Sequence, residues 1–248
     1  MGFTLEPGVL TTCLAETVIR NVAARSYVCR KGDPAEYWIG VLEGLVKVAS
    51  VSPEGKPISF IGVPAGGWSG EGALLKNELR LYNAIALRPS VVAYMPRNTF
   101  MLLLDASIAF NRFLVTQLNE RLGQFVAMVE HDRLLKPEAR LAAELAALFN
   151  PVLYPGNRTS LPISQQELAH LVVGLSRGRV NTALKRLHDA GLVRVTYARS
   201  RELWRNRGHV IAAGTNGGAA TRRRFSSATK AIGAAHFLAP VHEYNAPT

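Results

Sequence analysis

The sequence predicts an α+β chain in three parts: an N-terminal antiparallel β-roll of the cupin-like jelly-roll kind, one long dimerisation helix, and a C-terminal winged helix-turn-helix. Three observations carry this. Residues 27–96 are short apolar runs broken by turn signals at roughly even spacing. Residues 108–135 contain no proline and only Gly123, with one apolar seam running through them. Residues 163–197 read as a capped helix, a tight turn, a second amphipathic helix and a strand.

Residues 8–24 have the spacing of a short helix, with Leu10, Leu14, Val18 and Ile19 on one face. "RKGDPAEY" is a turn, and "YWIGVLEG" is a strand closed by Gly44. "LVKVASV" alternates and ends in "SPEGKP", a hairpin signal; "ISFIGVPAGG" and "NAIALRPSVVAYMPR" continue the series. Many short strands of this kind close into a small antiparallel barrel or sandwich.

The period changes after Asn98. "TFMLLLDASIAF" contains the end of one helix and the start of another, with Ser107 as N-cap. Along the long helix the apolar residues Phe110, Leu114, Leu118, Leu122, Phe125 and Val129 follow at intervals of four or three. That near-heptad spacing makes Leu114, Leu118, Leu122, Phe125 and Val129 the expected dimer seam. Pro137 suits the first turn of the next helix, "PEARLAAELAALF", which ends at Asn150-Pro151.

"ISQQELAHLV" opens with Ser164 and has Glu167 three residues on, a capping-box pattern. After a turn at Gly174 comes "SRGRVNTALKRLHDAGLVRV". Val180, Ala183, Leu184 and Leu187 form its apolar face, and Gly191 stops it. The opposite face is basic and polar, as a helix entering a DNA major groove requires. Arg177, Arg179 and Asn181 lie in the first turns, where arginine can grip guanine and asparagine adenine with paired hydrogen bonds. Ser176, the N-cap, suits a phosphate, and Lys185 and Arg186 lie where phosphate contacts are expected. Gly178 contributes no side chain there and weakens the helix by about 0.8–1 kcal/mol relative to alanine.

Charge agrees with an anionic partner. The 248 residues carry a net charge of +11. Residues 198–248 hold eight Arg or Lys against two Glu, a net +6, so the first 197 residues carry only +5. The basic total is therefore weaker evidence for the folded part than it first looks. This tail is rich in Gly, Ala, Arg and Ser and is expected to be disordered, although "GHVIAAG" could supply a strand. Two origins stay open for it: a basic arm for phosphate contacts, or a shifted reading frame.

Other classes fit poorly. Cys13 and Cys29 are far apart, which argues against a disulfide scaffold, a zinc finger or an iron–sulfur cluster held by four cysteines of one chain. His131, His170 and His188 are scattered, so no metal site is expected. Residues 27–96 contain no histidine, which counts heavily against the clustered ligands of a cupin-type enzyme; no H-E-x-x-H or Walker motif is present, and the G-x-S-x-G run at Gly174–Gly178 lies between two helices, not at a strand-to-helix elbow. No signal peptide is evident, and no uninterrupted apolar run is long enough to span a membrane. A cytoplasmic protein without catalytic residues is expected.

At this point a resemblance becomes specific. "KGDPAEYWIGVLEGLVKV", "GGWSGEGALL", "PEARLAAELAALF" and "ISQQELAHL…SRGRVNTALKRLHDAGLVRV" occur in the order and spacing of the Crp/Fnr family of bacterial transcription regulators, which the chain resembles through most of residues 27–197. The resemblance implies an effector-binding β-roll over 1–106, a long dimerisation helix over 107–136, a DNA-binding domain over 137–197 and a separate tail over 198–248. It implies a homodimer on a two-fold-symmetric operator in double-stranded DNA, with RNA polymerase as a further partner.

Gly70, Glu71 and Arg80 match the phosphate-binding cassette of the family's cyclic-nucleotide-binding members. Leu81 stands where they have a serine, and Phe125 and Val126 stand near the polar pair that holds the base. A purine would lose hydrogen bonds against those apolar residues. A cyclic nucleotide is thus one candidate effector, and a different or absent one is favoured. The "HLVVGLSR" turn is one residue longer than the family's, and Gly178 replaces a long polar reader. These departures leave a second reading open: a cyclic-nucleotide-binding sensory protein with impaired or altered DNA binding.

Overall fold

In a computed structural model the described residues are 6–135, 137–155, 160–172, 175–197 and 207–212. The chain begins with helix α1 (Pro7–Glu16) and then strands β1 (Val18–Val22), β2 (Tyr27–Cys29), β3 (Tyr37–Glu43), β4 (Leu45–Val51), β5 (Pro57–Pro64) and β6 (Trp68–Ser69). After α2 (Glu71–Lys76) follow β7 (Asn83–Ala86), β8 (Ser90–Pro96), α3 (Arg97–Ala106) and the long α4 (Ile108–Leu134). The C-terminal part holds α5 (Pro137–Leu148), β9 (Ser160–Ser164), α6 (Gln165–Leu171), α7 (Arg177–Asp189), β10 (Val193–Tyr197) and β11 (Arg207–Ala212).

Two four-stranded sheets, ordered β1-β8-β3-β6 and β2-β7-β4-β5, make the N-terminal roll. All their pairings are antiparallel. The β4–β5 hairpin turns at Ser52–Lys56, where Gly55 takes φ +79° and its N–H donates to the Ser52 carbonyl. Val46, Val48, Ile61, Val63, Ala84, Ala86 and Val92 fill the space between the sheets. That burial is the main force holding the roll together. At one end Trp38, Phe100, Phe110 and Leu114 bind α3 and α4 to it.

The expected helix over 8–24 is shorter. It stops at Glu16, and Val18 to Val22 pair with Tyr94 to Ser90 of β8. Val18 and Ile19 suit a strand as readily as a helix, and the open edge of β8 decides between them.

The C-terminal part packs α5, α6 and α7 around Leu141, Leu145, Leu148, Leu168, Leu171, Val180, Leu184 and Leu187. A three-stranded antiparallel sheet, ordered β10-β11-β9, forms the wing. Strand β11 falls in the stretch expected to be a tail and lies at the centre of that sheet. The rest of 198–248, and the turn at Gly174, lie outside the described residues. Leu45 of the roll belongs to the same apolar cluster as α5–α7, and Ser59 Oγ donates to the His170 carbonyl at 2.8 Å. The two parts therefore share an interface built on β5, α5 and α6.

Candidate functional site

The basic face of α7 follows from its period. Val180, Ala183, Leu184 and Leu187 are buried, which turns the intervening residues outward. Ser176 caps the helix: its Oγ accepts from the Arg179 N–H at 3.4 Å. Ser176, Arg177, Arg179, Lys185 and Arg186 are exposed. Asn181 is half-buried, and its Oδ1 accepts from Gln165 Nε2 at 3.0 Å, so it ties α7 to α6. Its amide nitrogen remains the group able to donate outward. The capping box expected at α6 is present, with Ser164 and Glu167 bonded reciprocally. Glu167 also faces Arg88 of the roll, Oε1 to Nε at 3.5 Å, and Arg88 Nη1 donates to the Pro162 carbonyl.

The second cluster lies inside the roll. Gly70 has φ +94°, and a Cβ there would fall 2.1 Å from Arg80 Nη1, so only glycine fits. Arg80 is buried and donates to the Gly70 and Tyr37 carbonyls. Glu71 opens α2, is 5% exposed, and its Oε2 makes no hydrogen bond among the described residues. Tyr82 is beside them; burial first, then Glu71, push its hydroxyl up to about 12. Burial likewise raises the Cys29 thiol, against the pull of Arg80. Leu81, next to Arg80, is exposed.

Arg121 of α4 completes this cluster. It donates to the Trp68 carbonyl at 2.8 Å and to the Tyr154 hydroxyl at 3.0 Å. Burial opposes its charge, but Tyr154 and Glu71 hold its pKa above the ordinary arginine value. Neither Arg121 nor Tyr154 is evident in the motifs. The available signal was a helical one: Phe110, Leu114, Gln117 and Arg121 share one buried stripe, two of them polar.

The expected dimer seam divides. Leu114 is buried in the core with Leu118 packed against its cluster, and Phe125 packs against the separate cluster between the sheets. Leu122 and Val129 are exposed, together with Ile108, Val115 and Val126. Each step of four residues rotates about 40° around a helix, so three in a row move from the core face to the outer one. Ile108, Val115, Leu122 and Val129 instead follow at intervals of seven.

Two family descriptions match in tandem. Cyclic nucleotide-binding domain covers residues 19–107, and Crp-like helix-turn-helix domain covers residues 139–204. The chain belongs to the Crp/Fnr family of transcription regulators. This Crp/Fnr chain is 25% identical over 189 residues to the cAMP-activated global transcriptional regulator CRP of Haemophilus influenzae, covering 75% of the chain and 84% of that protein. Among solved structures it is similar to the c-di-GMP responsive global regulator CLP of Xanthomonas campestris. That match has 25% identity and a TM-score of 0.53, over 85% of this chain and all of the other. FixK2 of Bradyrhizobium japonicum shares the fold at 17% identity and a TM-score of 0.57, over 84% and 95% of the two chains. The order of roll, long helix and helix-turn-helix is the family's. No single described helix is long and apolar enough to cross a membrane, and no group of metal-ligating side chains occurs among the described residues.

Proposed function

We propose that the protein is a cytoplasmic homodimer that binds a two-fold-symmetric DNA operator under control of a small effector in the roll. The carrying observation is α7: a capped helix with Arg177, Arg179, Lys185 and Arg186 outward over a fully apolar inner face, braced by α6 and a wing sheet. Arg177 and Arg179 read base edges; Lys185, Arg186 and the N-terminal turn at Ser176 hold phosphates. The dimer forms along Ile108, Val115, Leu122, Val126 and Val129. It sets the two copies of α7 against successive major grooves, about 34 Å apart. Bound to an operator, the dimer contacts RNA polymerase.

The effector site comprises Gly70, Glu71 and Arg80. Arg80 and backbone N–H groups suit an anion, and Glu71 suits a hydroxyl donor. Phe125 packs against the roll where the resemblance expects one of the polar residues that hold a purine. The effector is therefore proposed to be other than cyclic AMP or cyclic GMP. Calorimetry with both nucleotides tests this: micromolar or tighter binding of either rejects it.

Selection of bound sites from random DNA, followed by gel shifts at two salt concentrations, tests the DNA reading. A palindromic site that survives competitor DNA is expected; binding that collapses steeply with salt and selects no sequence rejects it. That negative result would favour the second reading, a cyclic-nucleotide-binding sensor with impaired DNA binding. Asn181 bonded to Gln165 and the missing side chain at Gly178 give that reading its specific basis.

A further inference from the structure

Tyr154 lies in the segment that follows α5, yet it is fully buried inside the roll. Its hydroxyl donates to the Gly62 carbonyl of β5 at 3.0 Å and accepts from Arg121 Nη1 at 3.0 Å. Its ring lies so close to Gly67 that a Cβ there would fall 2.9 Å from two ring carbons. The segment is held at a second point. Asn150 Nδ2 donates to Glu120 Oε2 at 2.9 Å, while Asn150 Oδ1 accepts from the Val152 and Leu153 N–H groups. Adjacent residues of α4, Glu120 and Arg121, thus grip both ends of one turn. The other amino group of Arg121 is on the Trp68 carbonyl, three residues before Glu71.

We infer that Tyr154 is a latch: through Arg121 its hydroxyl holds the helix-turn-helix unit docked on the loop that forms the effector site, restraining DNA binding in the effector-free protein. This rests on the reading that Glu71 and Arg80 line the effector site. Arg121 touches both the loop at Trp68 and the segment at Tyr154, and the Tyr154 ring meets the same loop at Gly67. A shift of that loop must therefore be felt at Tyr154. Hydrogen bonds from a guanidinium are stronger than neutral ones, so the Arg121 bond is the larger restraint and the Gly62 bond the smaller. Coupling between two sites works equally in both directions, so loosening Tyr154 must also alter the loop.

The test uses the full-length chain with Tyr154→Phe, which removes the hydroxyl and keeps the ring. Tyr94→Phe is the control, because the Tyr94 hydroxyl lies in the same apolar cluster but bonds the Val28 carbonyl rather than Arg121 or Gly62. Hydrogen exchange of residues 149–155 and of 66–76 is measured without effector. Tyr154→Phe is expected to speed exchange in both segments about tenfold, within the range of known couplings, and Tyr94→Phe in neither. Unchanged exchange in either segment overturns the latch. On an operator selected with the wild type, Tyr154→Phe is expected to bind about tenfold tighter without effector; equal or weaker binding overturns the restraint. If the wild type selects no operator, the DNA reading fails, and the exchange measurement still decides whether the latch exists.

Discussion

The roll and the recognition helix use arginine in opposite ways. Arg80, Arg88 and Arg121 are buried, each with its guanidinium on a main-chain carbonyl: Gly70 and Tyr37, Pro162, and Trp68. Arg177, Arg179 and Arg186 stand exposed on α7. A buried charge is costly unless it is paired and hydrogen-bonded, so the first set fixes geometry. An exposed one keeps its hydration and adds little to stability, so Arg177 and Arg186 are available for a partner. The difference teaches that the basic balance of the chain reports on two separate tasks, internal bracing and external contact. Each can be removed without the other.

The largest expected effect is on the bracing side. Arg88→Ala leaves Glu167 buried opposite an empty site, with only its capping bonds. Breaking a buried pair from one side costs roughly 3 kcal/mol or more. Thermal unfolding should show that loss, and because the pair joins β8's approach to α6, exchange in α6 should rise with it. A melting temperature within a degree of the wild type would break the comparison.

Removal of an exposed arginine should do the reverse. Arg177→Ala is expected to leave the melting temperature unchanged and to weaken specific DNA binding by about 1–3 kcal/mol, with relaxed choice at one base position. Lys185→Ala should weaken all sequences alike and lower the salt slope by about one. If both variants behave alike, base reading belongs to neither.

Glu144 sharpens the comparison from the acidic side. It is half-buried on α5, and burial, with Asp132 adding, pushes its carboxyl up to about 8. An unfolded chain ionises it near the ordinary 4.5. Between those values the folded state holds a proton that the unfolded state has lost, so stability falls as pH rises from 4.5 to about 8. Glu144→Gln should therefore melt like the wild type below pH 4.5. Above pH 8 it should melt higher, by roughly 2–4 °C if the gain is about 1 kcal/mol. An equal gain at all pH values would assign the effect to packing rather than ionisation.

The legibility of the chain follows the same division. The strands of the roll, the capping box at Ser164 and Glu167, and the basic face of α7 were readable because turn residues, caps and a 3.6-residue period are local signals. The dimer seam is not legible, because steps of four residues drift around the helix, and only tertiary packing shows that Leu114 faces inward and Val115 outward. Arg121 and Tyr154 were missed because their partners are 33 and 92 residues away in sequence, respectively Tyr154 and Gly62. Strand β11 is only an option inside a low-pattern stretch, since its pairing with β9, more than forty residues earlier, lies beyond any local window.

The smallest effect is expected at Gly178. In the roll, a Cβ at Gly67 would collide with Val63 and the Tyr154 ring, so that glycine answers to packing. At Gly178 a Cβ would meet only Ser176 Oγ, at 3.9 Å, and the residue is exposed in the first turn of α7. Nothing inside the protein requires glycine there. Gly178→Gln should therefore stabilise the protein by roughly half a kcal/mol, since glutamine lies between glycine and alanine in helix propensity, less the shortfall expected in a first turn. It also places a hydrogen-bonding side chain beside Arg177 and Arg179, where it can reach adenine. Site selection with this variant should return an operator changed at one position in each half-site. A stabilised protein with an unchanged operator would mean that this turn of α7 faces phosphate rather than base edges. The assignment of Arg177 as a base reader would fall with it.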